Sequence, residues 1–324
     1  MGLSYAAMGR WPGRHRTREA SAARHGVYTS TADLVALRSA TREVSLSPRR
    51  PVQSLLSSNR QHHEPVSVDD VDASDRTIGR QARRPFGRGG HHEKVRPALI
   101  IVDQRLNMFF GLRRSMKSVA AAEAAALCVW RAHDRGAPVG GAVFNDSSIA
   151  LFEPQRGGPA AMRLIEAMAS QNAELRADST QARVPSQLDA ALVAAAGKTT
   201  HDHLVVVISD FYGHGPRTRE HLIRLSGRND VAAVLVYDPF LLDLPTTGDI
   251  IFSRGELQID TEFGAGRIRR SLFDYADAHA REILAFEREI GVPVLPLSAA
   301  EEAAPQMRRL LDESFWREMR NRPV

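Results

Sequence analysis

Two short apolar runs in this chain each end in an aspartate: Ala98-Leu99-Ile100-Ile101-Val102-Asp103 and Leu204-Val205-Val206-Val207-Ile208-Ser209-Asp210. A run of β-branched residues bounded by polar ones reads as a strand buried on both faces of a parallel sheet. Open α/β sheets bind their ligands outside the carboxyl ends of the strands, where the strand order reverses. Two carboxylates at two strand ends therefore point to a shared site, for a cation or for a polar group of a partner.

From Pro97 onward, apolar runs alternate with helical patterns, which is the signature of an α/β domain. Strands are expected at 98–102, 138–144, 149–152, 204–208, 231–237 and 292–297, the third as an antiparallel edge. A hairpin is expected around Arg254-Gly255-Glu256. Helices are expected over Ser115–Asp134, from Pro159, over Gln187–Ala196, over Arg217–Leu225 and over Ile268–Ile290. Ser186 with Asp189 reads as the cap of the third of these, and Ser298 with Glu301 as a capping box for a final helix. Upstream, Gly26–Leu37 reads as a short helix capped near Ser30 or Thr31, with Leu34 and Leu37 on one face. The expected organisation is a disordered basic extension over 1–25, an irregular basic segment over 26–97 and the α/β domain over 98–324.

Charge divides the chain at the same place. Residues 1–97 carry 17 Lys+Arg against 9 Asp+Glu, whereas residues 98–324 carry 26 against 29. An Arg-rich arm of this kind suits nucleic acid or acidic partners, but no nucleic-acid-binding motif accompanies it. A solvated arm is the simpler reading. The acid-poor stretch 1–24 also has the composition of a transit peptide, and Met8 is a second candidate start. The single cysteine, Cys128, excludes an internal disulfide framework and reads as a buried thiol. No stretch approaches the ~18 apolar residues of a membrane span, and no secretory h-region is present, so a cytoplasmic location is expected.

Several stretches carry a resemblance to a known family. Val102-Asp103-Gln104-Arg105-Leu106-Asn107-Met108-Phe109-Phe110 resembles the first-strand motif of von Willebrand factor A-type domains, where D-x-S-x-S begins a metal-ion-dependent adhesion site. Together with Gly26–Leu37, Lys117–Leu127, Val139–Asp146 and Leu204–Phe211, it is similar to the bacterial MoxR-associated family called domain of unknown function 58. The resemblance extends over roughly 26–312. It implies a von Willebrand A-like (Rossmann-like), mostly parallel sheet with helices on both faces and the first and fourth strands adjacent. It also implies a non-enzymatic interaction module, an adaptor or assembly partner of a MoxR-type AAA+ ATPase.

Carried over one position at a time, the adhesion-site residues fall on Asp103, Arg105, Asn107, Ser186 and Asp210. Asp103, Asn107, Ser186 and Asp210 could offer four oxygens to Mg²⁺. Arg105 has no acceptor atom. If it points inward it replaces the cation by pairing with Asp103 or Asp210; if outward, a degenerate metal site remains. No other cofactor is implied. A second departure lies at Ser67–Arg83, where Arg76, Ile78 and Arg83 fit the family's upstream segment but its Tyr, Gly and Asp-Trp pair are missing.

The expected partner-contact set is Asp103, Arg105, Asn107, Asp210 and His214, on a rim built from 103–111, 145–148, 186 and 210–216. For Phe109 and Phe110, core packing is the simpler role and exposed anchors the alternative. Of the histidines, the pairs at 62–63 and 91–92 and the alternating His201 and His203 read as surface or loop-edge residues rather than ligands. A metal-assisted or aspartate-based hydrolase at the Asp103/Asp210 strand ends is the enzymatic alternative. It lacks a G-x-S-x-G elbow, a P-loop and a second carboxylate two residues after Asp103. Nucleic-acid binding through the Arg-rich segment is the third reading.

Overall fold

In the computed structural model of the chain, the described residues are 29–41, 95–111, 113–176, 179–239, 249–254, 257–262 and 266–311. The elements among them are α1 (Thr31–Ala36), β1 (Ala98–Asp103), α2 (Lys117–Asp134), β2 (Val139–Phe144), β3 (Ile149–Gln155), α3 (Gly158–Ala173), α4 (Gln187–Ala196) and β4 (Leu204–Ser209). They continue with α5 (Pro216–Ser226), β5 (Asp230–Tyr237), β6 (Asp249–Arg254), β7 (Leu257–Glu262), α6 (Gly266–Leu284), α7 (Phe286–Ile290), β8 (Val294–Ser298) and α8 (Ala303–Leu311).

The sheet has six strands in the order β3-β2-β1-β4-β5-β8, and β6 pairs with β7 as a separate hairpin. All pairings in the six-stranded sheet are parallel except β2 with β3. The architecture is therefore α/β, mostly parallel with one antiparallel edge, as the strand-helix alternation predicts. The chain steps from β1 outward to β2 and β3, then returns to β4 on the other side of β1. The order reverses between β1 and β4, where a crevice at the carboxyl ends is expected.

Alternate residues of each strand feed two apolar cores, one on each face. Ile100, Val102, Val206, Ile208 and Val234 pack under α2, α3 and α8. Leu99, Ile101, Val205, Val207 and Ala233 pack under α4, α5 and the α6–α7 pair, through Leu188, Leu222, Ile283 and Phe286. Helix α2 is buried almost all round, with Ala120, Ala121, Ala122, Ala124, Ala125 and Ala126 inside. Small side chains let a fully enclosed helix lie close to both the sheet and its neighbours.

The short helix α1 belongs to the same core. Ser30 caps it, accepting from the Asp33 N–H while the Asp33 carboxylate accepts from the Ser30 N–H. Leu34 is buried, and its carbonyl accepts from Trp130 Nε1 at 3.0 Å. The Thr29 N–H donates to Asn172 Oδ1, Asn172 Nδ2 to Gln104 Oε1, and Gln104 Nε2 to the Ser118 carbonyl. This chain of bonds ties the segment before α1 to the residue after Asp103.

Three local expectations are corrected. Ser186 precedes α4 but makes no capping bond, and Asp189 instead accepts from Thr218 Oγ1 at 2.7 Å. Ser298 ends β8 upstream of the start of α8 at Ala303, and its Oγ accepts from the Ala300 N–H rather than from the helix. The helix expected over 268–290 is two helices that meet at Ala285. Of the irregular segment expected over 26–97 only 29–41 and 95–97 are described, and the histidine pairs at 62–63 and 91–92 lie outside the described residues.

Gly141 marks the tightest approach between strands. A Cβ there would lie 2.0 Å from the Ile100 carbonyl oxygen, which is backbone and cannot swing aside. Gly141→Ala is expected to lower stability by about 3 kcal/mol or more, the upper end of overpacking costs. Urea denaturation followed by circular dichroism measures it.

Candidate functional site

At the reversal point, Val102 stands opposite Ile208, so Asp103 emerges beside Ser209. Ser209 Oγ donates to Asp103 Oδ2 at 2.6 Å, and the Phe211 N–H donates back to Ser209 Oγ. The remaining valences of the Asp103 carboxylate are filled by Arg105. Its backbone N–H and Nε donate to Oδ1 at 2.9 and 3.0 Å, and Nη2 donates to Oδ2 at 2.7 Å. Arg105 Nη1 reaches two further loops, donating to the carbonyls of Pro185 and Tyr212, both at 3.1 Å. The guanidinium also lies over the Phe144 ring. Both Arg105 and Asp103 are 0% exposed. Burial alone would lower the Arg105 pKa, but the Asp103 charge and hydrogen bonds, with Asp210 and Asp146 nearby, raise it above its ordinary value.

Asp210 faces a second cation. Lys117, the first residue of α2, places Nζ 2.5 Å from Asp210 Oδ2, while Asn107 Nδ2 and the Tyr212 N–H donate to Oδ1. Burial by itself would raise this carboxyl. The Lys117 and Arg105 charges, with hydrogen bonds from Lys117 and Asn107, outweigh it and hold Asp210 well below the usual carboxylate range. A third carboxylate, Asp146 after β2, accepts from the backbone N–H groups of Leu106 and Val184. Next to it Asn145 closes its own turn, its Oδ1 accepting from Ser147 and Ser148. Every loop at the carboxyl end of β1, β2 and β4 is thus pinned by an internal charge.

The β4–α5 loop has two unusual backbone positions. Phe211, wholly buried, adopts a φ of +55, which an L residue adopts only when its surroundings impose it. Gly213 has φ +79 and packs where a Cβ would meet Pro185 Cβ at 2.4 Å.

The structure brings together Asp103, Arg105, Asn107 and Asp210, as the strand-end reading expects, but not as a ligand set. Arg105 points inward and fills the acceptors of Asp103. Asn107 turns its amide nitrogen to Asp210, and its Oδ1 is buried without a partner. Ser186 is exposed and makes no capping bond. This arrangement does not fit a divalent cation, because guanidinium and ammonium groups occupy the acceptors it would need.

The expected contact set is corrected as well. Asp103 and Arg105 have no surface, and the side chains of Asp210 and His214 are about nine-tenths buried, since each is enclosed by the loops it holds. Phe109 and Phe110 are core residues. The exposed rim is instead Ser147, Ser148, Pro185, Ser186 and Gly213. His201 is exposed and His203 buried, so the two do not share a face in solvent. Ser209 and Lys117 are the site residues that sequence reasoning did not single out, and Asp146 entered only as part of the 145–148 rim. The alternation of side chains along a strand carries a signal for Ser209, whereas nothing local marks Lys117.

Two expectations follow. Removing one member of a buried pair strands the other, at about 3–5 kcal/mol. Arg105→Met should cost that much, and the double variant Asp103→Asn/Arg105→Met should cost less than the sum of its singles. Chemical denaturation of the four-member cycle measures the difference. Because the folded pKa of Asp210 is depressed, its contribution is fully present above the ordinary carboxylate range and is lost as the pH falls below about 4. Lys117→Met should flatten that acid loss, as read from unfolding free energies between about pH 5 and pH 2.

Comparison with known proteins places the chain in a family. Over 230 residues it is 25% identical to uncharacterized proteins of Mycobacterium tuberculosis and Mycobacterium bovis, covering 71% of this chain and 70% of each relative. A shorter uncharacterized protein of Mycobacterium avium is 30% identical over 128 residues, 38% of this chain and 75% of that one. Among solved structures, the conserved hypothetical protein BatB from Bacteroides thetaiotaomicron is similar at a TM-score of 0.40 and 12% identity, over 69% of this chain and 98% of that one. Residues 64–283 match the family described as Protein of unknown function DUF58, and the chain belongs to that family.

Proposed function

We propose that the carboxyl-end rim is a preformed protein-binding surface, and that the chain is a non-enzymatic adaptor or assembly partner of a MoxR-type AAA+ ATPase. The supporting observation is the use to which the site's charges are put. Asp103, Asp146 and Asp210 each spend their acceptors on N–H groups or cations of the same chain, and Asp210 is held ionised rather than poised near neutrality. A general acid or base works best with a pKa near the operating pH. A carboxylate locked to lysine serves that role poorly, so the hydrolase alternative draws less support from this geometry. Fixing the loops before a partner arrives lowers the ordering cost of association. The choice of a MoxR-type ATPase rests on the von Willebrand A-like and MoxR-associated resemblance of the sequence motifs.

The test uses the purified chain and the MoxR-type ATPase of its own organism, with Mg²⁺ and a non-hydrolysable ATP analogue, read by biolayer interferometry. Binding is expected, and Ser186→Arg combined with Ser148→Arg should weaken it about tenfold, or about 1.4 kcal/mol. Lys198→Glu, beyond the opposite end of α4, should leave it unchanged. No binding, or equal binding by the rim variant, overturns the reading.

A further inference from the structure

Helix α6 is attached to the β4–α5 loop by two histidines, and one of them is set between two acceptors. His214 Nδ1 lies 3.1 Å from the Phe211 carbonyl oxygen, and Nε2 lies 3.1 Å from Glu282 Oε2 on α6. A neutral imidazole carries one N–H, so it can satisfy one of these partners and must present a lone pair to the other. Only the imidazolium donates to both. His279, one turn before Glu282 on α6, differs. Its Nε2 donates to the Asp210 carbonyl oxygen at 2.6 Å, a bond that the neutral ring makes unaided.

We propose that the His214–Glu282 contact is a proton-operated latch that closes α6 onto the β4–α5 loop when His214 takes up a proton. The inference stands on this geometry and does not depend on the identity of any partner. The groups that face His214 set the direction. From α6 they are Glu282, which favours the cation, His279 with its ring 5.1 Å away, and Tyr275 stacked on His279. From α7 the Phe286 ring lies edge-on at 6.0 Å. Arg219 of α5 lies over that ring and pairs with Glu289.

Burial and then His279 lower the His214 pKa, and Glu282 opposes them without cancelling them. Above the ordinary histidine range the ring is therefore neutral and, with a single ring N–H, serves only one of its two partners. As the pH falls below the ordinary histidine range, the cation forms and the arm closes. Phe211, with its φ of +55, lies at the fulcrum, since its carbonyl accepts from the His214 N–H and lies 3.1 Å from Nδ1. The latch therefore acts next to the backbone that holds Asp210 and Tyr212.

The test uses the full chain and its Glu282→Gln variant. Glu282 is 59% exposed, so the substitution leaves the fold in place. The His214 titration is followed by NMR of its ring Cε1–H, and its pKa should fall by at least about 0.3 unit in the variant. In parallel, spin labels at Ile223→Cys on α5 and Arg281→Cys on α6 report the distance between the helices. Cys128 is buried, with its thiol pushed up to about 12, and does not compete for the label. The distance distribution should narrow between about pH 7.5 and pH 5 in the parent and not in Glu282→Gln. An unchanged His214 pKa in the variant, or a parent distance distribution that ignores pH, overturns the proposal.

Discussion

The buried pair of Asp103 and Arg105 is the constraint on which the carboxyl-end architecture depends. A carboxylate with no access to water must be paired or must give up its charge. Arg105 meets that demand with three donors to one carboxylate and uses its remaining nitrogen to bind two separate loops. A planar guanidinium suits this task because its donors leave in fixed, divergent directions. A lysine at the same place would neutralise the charge and leave the Pro185 and Tyr212 carbonyls unbound. The pair is thus less a source of net stability than a device for specifying one arrangement of loops among several compact alternatives.

The second pair divides the work. Lys117 opens α2, where the helix dipole disfavours a cation, and no side chain caps that end. The Asp210 carboxylate offsets the unfavourable placement and anchors the start of the most enclosed helix in the fold to the end of a central strand. Helix α2 is thereby joined to the sheet at one end through charge, while along its length it packs through buried Ala, Leu and Val side chains.

Much of this was legible in the sequence. The runs at 98–103 and 204–210 mark central parallel strands because strands covered on both faces read as continuous apolar runs. The proline at 159 and the cap expected near Ser30 or Thr31 mark helix starts through local chemistry, and the structure puts the cap at Ser30. The site was half legible. Arg105 in place of a ligand announces that a cation is already supplied, but whether it points in or out depends on Pro185 and Tyr212, some 80 and 107 residues away. Lys117 reads as an ordinary surface lysine at the head of an Ala-rich helix, and only the register of β1 against β4 shows what it meets. The misplaced cap at Ser186 has the same origin, since Thr218 of α5 claims Asp189 through a contact that local pattern cannot contain.

Helix α1 carries a consequence for how the chain is put together. Leu34 sits in the core beneath α2, although the first strand begins more than sixty residues later. The described residues 29–41 belong to the same unit as those from 95 onward. The unit is therefore discontinuous along the polypeptide. Closing such an excursion has an entropic cost that grows only with the logarithm of its length. The length of the chain between the two parts therefore weighs little on this unit's stability, while the dozen residues around α1 remain bound by the geometry of a core that lies far downstream.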